Sequence, residues 1–312
     1  MTPSSFSPPR ELLAELEPTA ERLLNRHLAT AKEWFPHDFI PYSVGRDYDK
    51  EPWTPDQPRI SGVAQVAFEV NLLTEDNLPS YHREIHRIFG HGDGAWINWV
   101  NRWTAEEGRH AILLRDYLVV TRNIDPYALE RSRMNQLQAA YNHDDGGNVL
   151  RGLAYVALQE LATRISHRNT GRYSADPVAD RIMIRIAADE NLHMVFYRDM
   201  LSEAMKIHPS AAVHAIADEI TDFQMPGAGM VNFTRKAAQM AKAGIYDLRV
   251  HHDDVVWPLL NHWGLFHLEN LTPSAERRRH ELSRFLTSLD EQAIRFESKR
   301  AILLEREAVR AG

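Results

Sequence analysis

The chain has 312 residues, 44% of them apolar, a formal charge of -7 and no cysteine. This is enough apolar material for one large core, while the absence of thiols excludes disulfides, thiolate nucleophiles, iron-sulfur clusters and cysteine-held zinc. The acidic balance, the lack of a basic arm and the lack of a long apolar run speak against nucleic-acid binding and against a membrane span.

In chain order, residues 1–10 are polar and proline-rich, without the basic start and apolar centre of an export signal, and are expected to be flexible. A soluble, cytoplasmic protein folded as a single domain over 1–312 is the expectation. Apolar residues then recur at helical spacing, with no β-branched runs of period two, which is an all-α pattern. The spacing predicts helices over about 11–33, 60–89, 94–121, 126–141, 148–169, 177–207, 209–223, 229–243, 253–263 and from 273 onward. The prolines and glycines of 42–58, His91-Gly92-Asp93-Gly94, Asp144-Asp145-Gly146-Gly147, Gly171 and Pro226-Gly227 supply the interruptions.

Acidic residues interrupt the apolar stripes at telling places. On the second predicted helix, Glu75 follows Phe68 and Leu72 on one face. On the third, Trp96, Trp99, Trp103, Glu107, His110 and Leu114 form a single stripe. Glu160 shares a face with Leu153, Ala157, Arg164 and His167, and Glu190 and His193 fall between Ile186 and Tyr197. Each Glu-x-x-His pair lies on one side of its helix. Two such helices, with one further Glu from each of two others, are the donor set of a ferritin-like four-helix bundle holding two metal ions. Four inward carboxylates cannot stay buried and ionised without compensation, and two divalent cations cancel them. Glu and His donors suit iron or manganese, though zinc would also accept them.

Other groups have plainer readings. His82 and His86 share a helical face but lack a matching carboxylate helix, so packing is favoured. His251, His252, Asp253 and Asp254 sit where a helix is predicted to begin, and Asp there is an expected cap. Trp96, Trp99 and Trp103 read as core aromatics, and Trp34 as packing, with a role in electron transfer as the alternative. The clusters Arg277 to Arg279 and Arg295 to Arg300 are interleaved with Glu as solvated faces.

Four phrases, LTEDNLPSY at 73–81, WTAEEGRH at 103–110, QELATRISH at 159–167 and AADENLH at 187–193, resemble the soluble acyl-ACP desaturase family of plants and actinobacteria. The likeness runs from about Trp34 to Pro226, in the family's order. It implies that Glu75, Glu107, His110, Glu160, Glu190 and His193 hold two irons, with Glu107 and Glu190 bridging. It also implies that Thr163 lies near the oxygen-binding side, and that Asp189 orients His110 and links it to Trp34. A homodimer, an acyl carrier protein bearing the substrate and ferredoxin as electron donor are further implications. The loop before Trp96 is shorter than in the plant enzymes, Asn191-Leu192 replaces two basic residues, and the match fades after Pro226.

The expected activity is O2-dependent insertion of a cis double bond into a carrier-bound saturated acyl chain, with manganese a possible substitute for iron. The competing readings are a hydroxylating oxygenase, an iron-storage protein, and a radical-generating subunit using Tyr197. Because the carrier is acidic, docking needs a local basic patch, for which Arg235, Lys236 and Lys242 are the candidates.

Overall fold

The computed structural model describes residues 9–139 and 146–311. The expected flexible segment up to residue 8, the predicted helix end at Tyr141 and the Asp144-Asp145 half of one loop lie outside the described residues. The described helices are α1 Pro9–Thr30, α2 Gly62–Asp76, α3 Leu78–Phe89, α4 Ala95–Val120, α5 Pro126–Ala139, α6 Val149–Ser174, α7 Pro177–Ile207, α8 Pro209–Thr221, α9 Phe233–Lys242, α10 Leu248–Val250, α11 Trp257–Trp263 and α12 Pro273–Ala311. No strand occurs among the described residues. None of the helices is long and apolar enough to cross a membrane.

Helices α2, α4, α6 and α7 make the four-helix core. Helices α6 and α7 run as a closely packed hairpin, α2 packs on α4 and α6, and α1 lies across α4 and α7. Local chemistry explains the starts. Ser61, Asn148 and Asp176 each turn a side-chain oxygen back onto free amides of α2, α6 and α7, and Pro177 fits the first turn of α7. The amino end of α4 is capped from a distance, because Glu17 of α1 accepts from the Ala95 amide.

Several boundaries differ from expectation for physical reasons. The predicted helix over 60–89 is two helices, since Pro79 has no amide to donate and the chain bends at Asn77. Gly171 does not interrupt α6. A Cβ there would come within 2.8 Å of Met183 Cβ, so the glycine serves the close approach of α6 and α7. The helix ends at Ala175 instead, in the left-handed region with φ 53°. Residues 226–229 form a separate 3-10 turn before α9 begins at Phe233. The segment predicted to start at Asp253 begins earlier. Asp247 caps α10, and His251–Val256 is a π-turn leading into α11, so Asp253 and Asp254 are not caps.

Candidate metal centre

Six side chains converge inside the core. Glu75 comes from the last turn of α2, Glu107 and His110 from the middle of α4, Glu160 from α6, and Glu190 and His193 from α7. None is more than 7% exposed. One donor atom from each of Glu75, Glu107, His110 and Glu190 lies within 4.8 Å of the others, and the same holds for Glu107, Glu160, Glu190 and His193. Glu107 and Glu190 belong to both groups, which is the arrangement of two adjacent sites sharing two carboxylates. His110 aims Nδ1 at Glu190 Oε1 (3.2 Å), Glu107 Oε2 (3.4 Å) and Glu75 Oε2 (3.5 Å). His193 aims Nδ1 at Glu107 Oε1 (2.8 Å) and Glu160 Oε2 (3.5 Å).

These donors fit a cation pair. Glu107 Oε1, Glu160 Oε2, Glu190 Oε1, His110 Nδ1 and His193 Nδ1 are all buried without a well-formed hydrogen bond. Five orphaned polar atoms around one point are costly unless positive charge lies between them. Protons are the alternative. Burial, reinforced by the Glu190 charge, raises the Glu107 and Glu160 carboxyls, whereas the surrounding acids overcome burial and raise His110 and His193. Glu75 goes the other way: burial opposes ionisation, but the neighbouring His110 imidazole and the hydrogen bond with His167 hold it low.

Outside the six, the centre divides into two halves. In one, His110 Nε2 lies 3.5 Å from Asp189 Oδ2, and that oxygen accepts from Trp34 Nε1 at 2.8 Å. Arg109 reaches the same oxygen at 3.3 Å and Arg185 takes the other. Burial alone would raise Asp189, but its bond to His110 and the nearby positive charges bring it to about 2. In the other half, His193 Nε2 meets Glu106 Oε2 at 3.0 Å, His27 Nε2 meets the same oxygen at 2.8 Å, and Arg102 Nε donates to Oε1 at 2.7 Å. His27, Glu106 and His193 also group as a third cluster of ligand atoms. The spacings are hydrogen-bond lengths, and His193 already turns Nδ1 to the centre, so this trio is a relay of hydrogen bonds.

Three more bonds hold the carboxylates. His167 Nε2 lies 2.8 Å from Glu75 Oε1, Trp103 Nε1 donates to Glu160 Oε1 at 2.9 Å, and Thr163 Oγ1 donates to Glu190 Oε2 at 2.7 Å. Trp103 is thus more than a core aromatic, and Trp34 more than packing. Sequence reasoning missed the roles of Glu106, His27, His167 and Trp103. One signal for Glu106 was present: both Glu-x-x-His pairs are preceded by an acid, Glu106 before Glu107 and Asp189 before Glu190.

Comparisons with known proteins identify the family. A family model described as fatty acid desaturase matches residues 9–310. DesA1 of Mycobacterium tuberculosis, provisionally named an acyl-[acyl-carrier-protein] desaturase, is 48% identical over 308 residues, covering 96% of this chain and 91% of that one. The chain belongs to the acyl-ACP desaturase family. A stearoyl-[acyl-carrier-protein] 9-desaturase from Arabidopsis thaliana is 33% identical over 66% of this chain and 57% of its own. The X-ray structure of DesA2 from M. tuberculosis H37Rv superposes with a TM-score of 0.70 at 29% identity, over 86% of this chain and 99% of that one. The fold is accordingly the ferritin-like all-α fold of this desaturase family.

Within this desaturase fold, a cavity of about 170 Å³ opens beside the centre. Glu75 and Thr163 stand at its inner wall, and Val70, Met225, Phe233 and Met240 give it an apolar lining. The other histidines stay apart from the centre. His82 bonds Thr104 across α3 and α4, and His251 bonds Tyr246 and stacks on Phe223, with burial bringing it down to about 4. Two of the three cations proposed for docking are engaged: Lys236 pairs with Glu69 at 2.8 Å and Lys242 with Glu307 at 2.5 Å, leaving Arg235 exposed. The arginine clusters of α12 are not merely solvated. Arg278 ties α12 to Asp218 of α8, Arg279 bonds the Leu268 carbonyl, and Arg300 bonds Asp247.

Proposed function

We propose that this protein is an acyl-ACP desaturase whose centre holds two irons. It takes a saturated acyl chain on an acidic carrier protein, O2, two electrons from a ferredoxin and two protons from solvent, and yields a cis-alkene and two waters. The observation that carries the reading is the set of five orphaned donor atoms facing one another beside an apolar cavity. Glu75, Glu107, His110, Glu160, Glu190 and His193 are the ligands in this reading, with Glu107 and Glu190 shared. Manganese fits the same donors. When bound, the metals with O2 supply the oxidising power needed to remove hydrogen from an unactivated methylene, which no protein acid or base provides.

The chain's own part is position and exclusion of water. The apolar walls around Val70, Met225, Phe233 and Met240 hold an alkyl chain against Glu75 and Thr163, so that two adjacent carbons face the centre and solvent does not. Thr163 keeps its hydroxyl proton on Glu190 Oε2, which fixes that carboxylate and keeps a proton at the cavity wall. Asp189 holds the Nε2 proton of His110 and accepts from the Trp34 indole, and this chain of contacts is the proposed route for electrons to the centre. A homodimer in the cytoplasm, each chain folded as one domain over 1–312, completes the proposal.

The test is direct. Iron-loaded protein supplied with stearoyl-ACP or palmitoyl-ACP, reduced ferredoxin and O2 yields a monounsaturated acyl chain by mass spectrometry. A hydroxylated product, or only the saturated chain with metal fully loaded across a panel of acyl lengths, overturns the proposal.

A further inference from the structure

We infer that His27, on α1, is a positioning residue for the His193 half of the centre and acts through Glu106. The inference rests on the proposed metal-centre reading. His193 turns Nδ1 toward Glu107 and Glu160, so its ring proton sits on Nε2 and needs a fixed acceptor. Glu106 Oε2, 3.0 Å away, is that acceptor. A carboxylate on a flexible stem does not hold still by accepting one bond. Arg102 fixes Oε1 at 2.7 Å, and His27 fixes Oε2 at 2.8 Å.

His27 is itself locked. It is 4% exposed, lies edge-on to Trp99 with ring centroids 5.0 Å apart, and stacks on His193 at 5.9 Å and 25°. It continues the buried stripe of Leu16, Ala20 and Leu23 on α1. Helix α1 contributes none of the six candidate ligands, yet through this one side chain its docking against α4 and α7 sets the aim of a ligand. Loss of the His27 donor frees Glu106 to pivot about Arg102, and His193 Nε2 loses its fixed partner. The effect belongs to one half of the centre, because His110 depends on Asp189 and Trp34 instead.

The experiment uses the full chain stripped of metal and titrated anaerobically with Co(II) alone. Wild type, His27→Leu and His27→Gln are compared after their helix content is matched by circular dichroism. Two readouts are taken: the d–d absorption and the solvent-exchangeable, hyperfine-shifted imidazole N–H signals in proton NMR. Wild type takes up two Co(II) and shows two such signals. In His27→Leu, one of the two Co(II) equivalents weakens about tenfold and one N–H signal exchanges faster, while the other equivalent and signal stay. His27→Gln, whose amide donates over a similar reach, restores both to within about threefold of wild type. The inference is overturned if His27→Leu behaves as wild type, if both equivalents and both signals change alike, or if His27→Gln does not rescue. Failure of wild type to bind two ions overturns the metal-centre reading instead, and this inference with it.

Discussion

The two halves of the centre use the same four parts in crossed order. Each has a terminal glutamate, a histidine, a donor on the glutamate and an acid on the histidine. In the His110 half the donor on Glu75 is the imidazole of His167, and the acid Asp189 is held by the indole of Trp34. In the His193 half the donor on Glu160 is the indole of Trp103, and the acid Glu106 is held by the imidazole of His27. The exchange has electrostatic consequences. Glu75, facing two imidazoles, is held low, whereas burial and the charges of Glu190 and Glu107 raise Glu160 against the single imidazole of His193 and the neutral N–H of Trp103. Near-symmetric ligand sets therefore need not make equivalent sites. Arg109 joins the halves, lying 3.3 Å from Asp189 and 3.9 Å from Glu106.

The largest expected effect separates shared from unshared carboxylates. Glu190→Ala removes a ligand from both sites, so metal content falls from about two ions per chain to well under one, and desaturation is abolished. Glu160→Ala strips only the His193 half and leaves about one ion. Metal analysis of dialysed protein decides between them, and equal loss in both variants would end the two-site description. Next comes Trp34→Phe, which keeps ring packing but deletes the donor to Asp189. Metal content is retained, and turnover with reduced ferredoxin falls about 10–100-fold. A variant with full turnover removes Trp34 from the electron path.

The halves also differ in their response to pH. Without metal, His110, His193, Glu107 and Glu160 all hold protons more tightly than they would in an unfolded chain. The histidines stabilise the metal-free fold fully below their ordinary value of 6.5, and that stability is lost as pH rises through their elevated folded values. Glu107 and Glu160 act in the same direction, since above the ordinary 4.5 the unfolded chain ionises them and the fold resists. Glu75, Glu106 and Asp189 are depressed and oppose this, their contribution vanishing as pH falls below the ordinary range. The melting temperature of chelator-treated protein is thus highest between pH 4.5 and 6.5 and declines toward pH 8. Metal entry expels these protons, so affinity rises with pH. The His193 site, which must also deprotonate Glu160, rises more steeply, by about one proton. Calorimetric titrations in buffers of different ionisation enthalpy measure that number, and equal slopes for the two ions would contradict the asymmetry.

Much of this centre was legible in the sequence because acids were written into apolar stripes. Glu75 after Phe68 and Leu72, and Glu160 after Leu153 and Ala157, had no reason to face a core except to meet positive charge. The limits of α7 were legible too, since Pro177 and Pro209 punctuate both ends. The relay was not. His27 looks like any histidine in a leucine stripe, and its partner lies 79 residues away. Gly171 misled for the opposite reason, because a local helix breaker was retained for the contact between α6 and α7. Tertiary proximity decided both cases, and one-dimensional spacing carries no record of it.

The smallest expected effect tests the crossed donors themselves. Trp103→Phe removes the N–H from Glu160 Oε1 while keeping an aromatic ring in the core, and His167→Phe does the same to Glu75 Oε1. Each lost bond is worth about 1 kcal/mol, or about a fivefold change in affinity for one ion. The two variants differ in kind. Glu75 is ionised before metal arrives, so losing His167 removes a charge-assisting donor and weakens the His110 site at every pH where that carboxylate is charged. Glu160 holds its proton more tightly than Glu75 before metal arrives, and the Trp103 bond strengthens as the acid ionises on loading. Trp103→Phe therefore makes the second proton harder to expel and shifts the binding curve of the His193 site to higher pH, with the His110 site unmoved. Identical displacement of both sites by either variant would show that the indole and imidazole are interchangeable, and the crossed arrangement would then have no functional content.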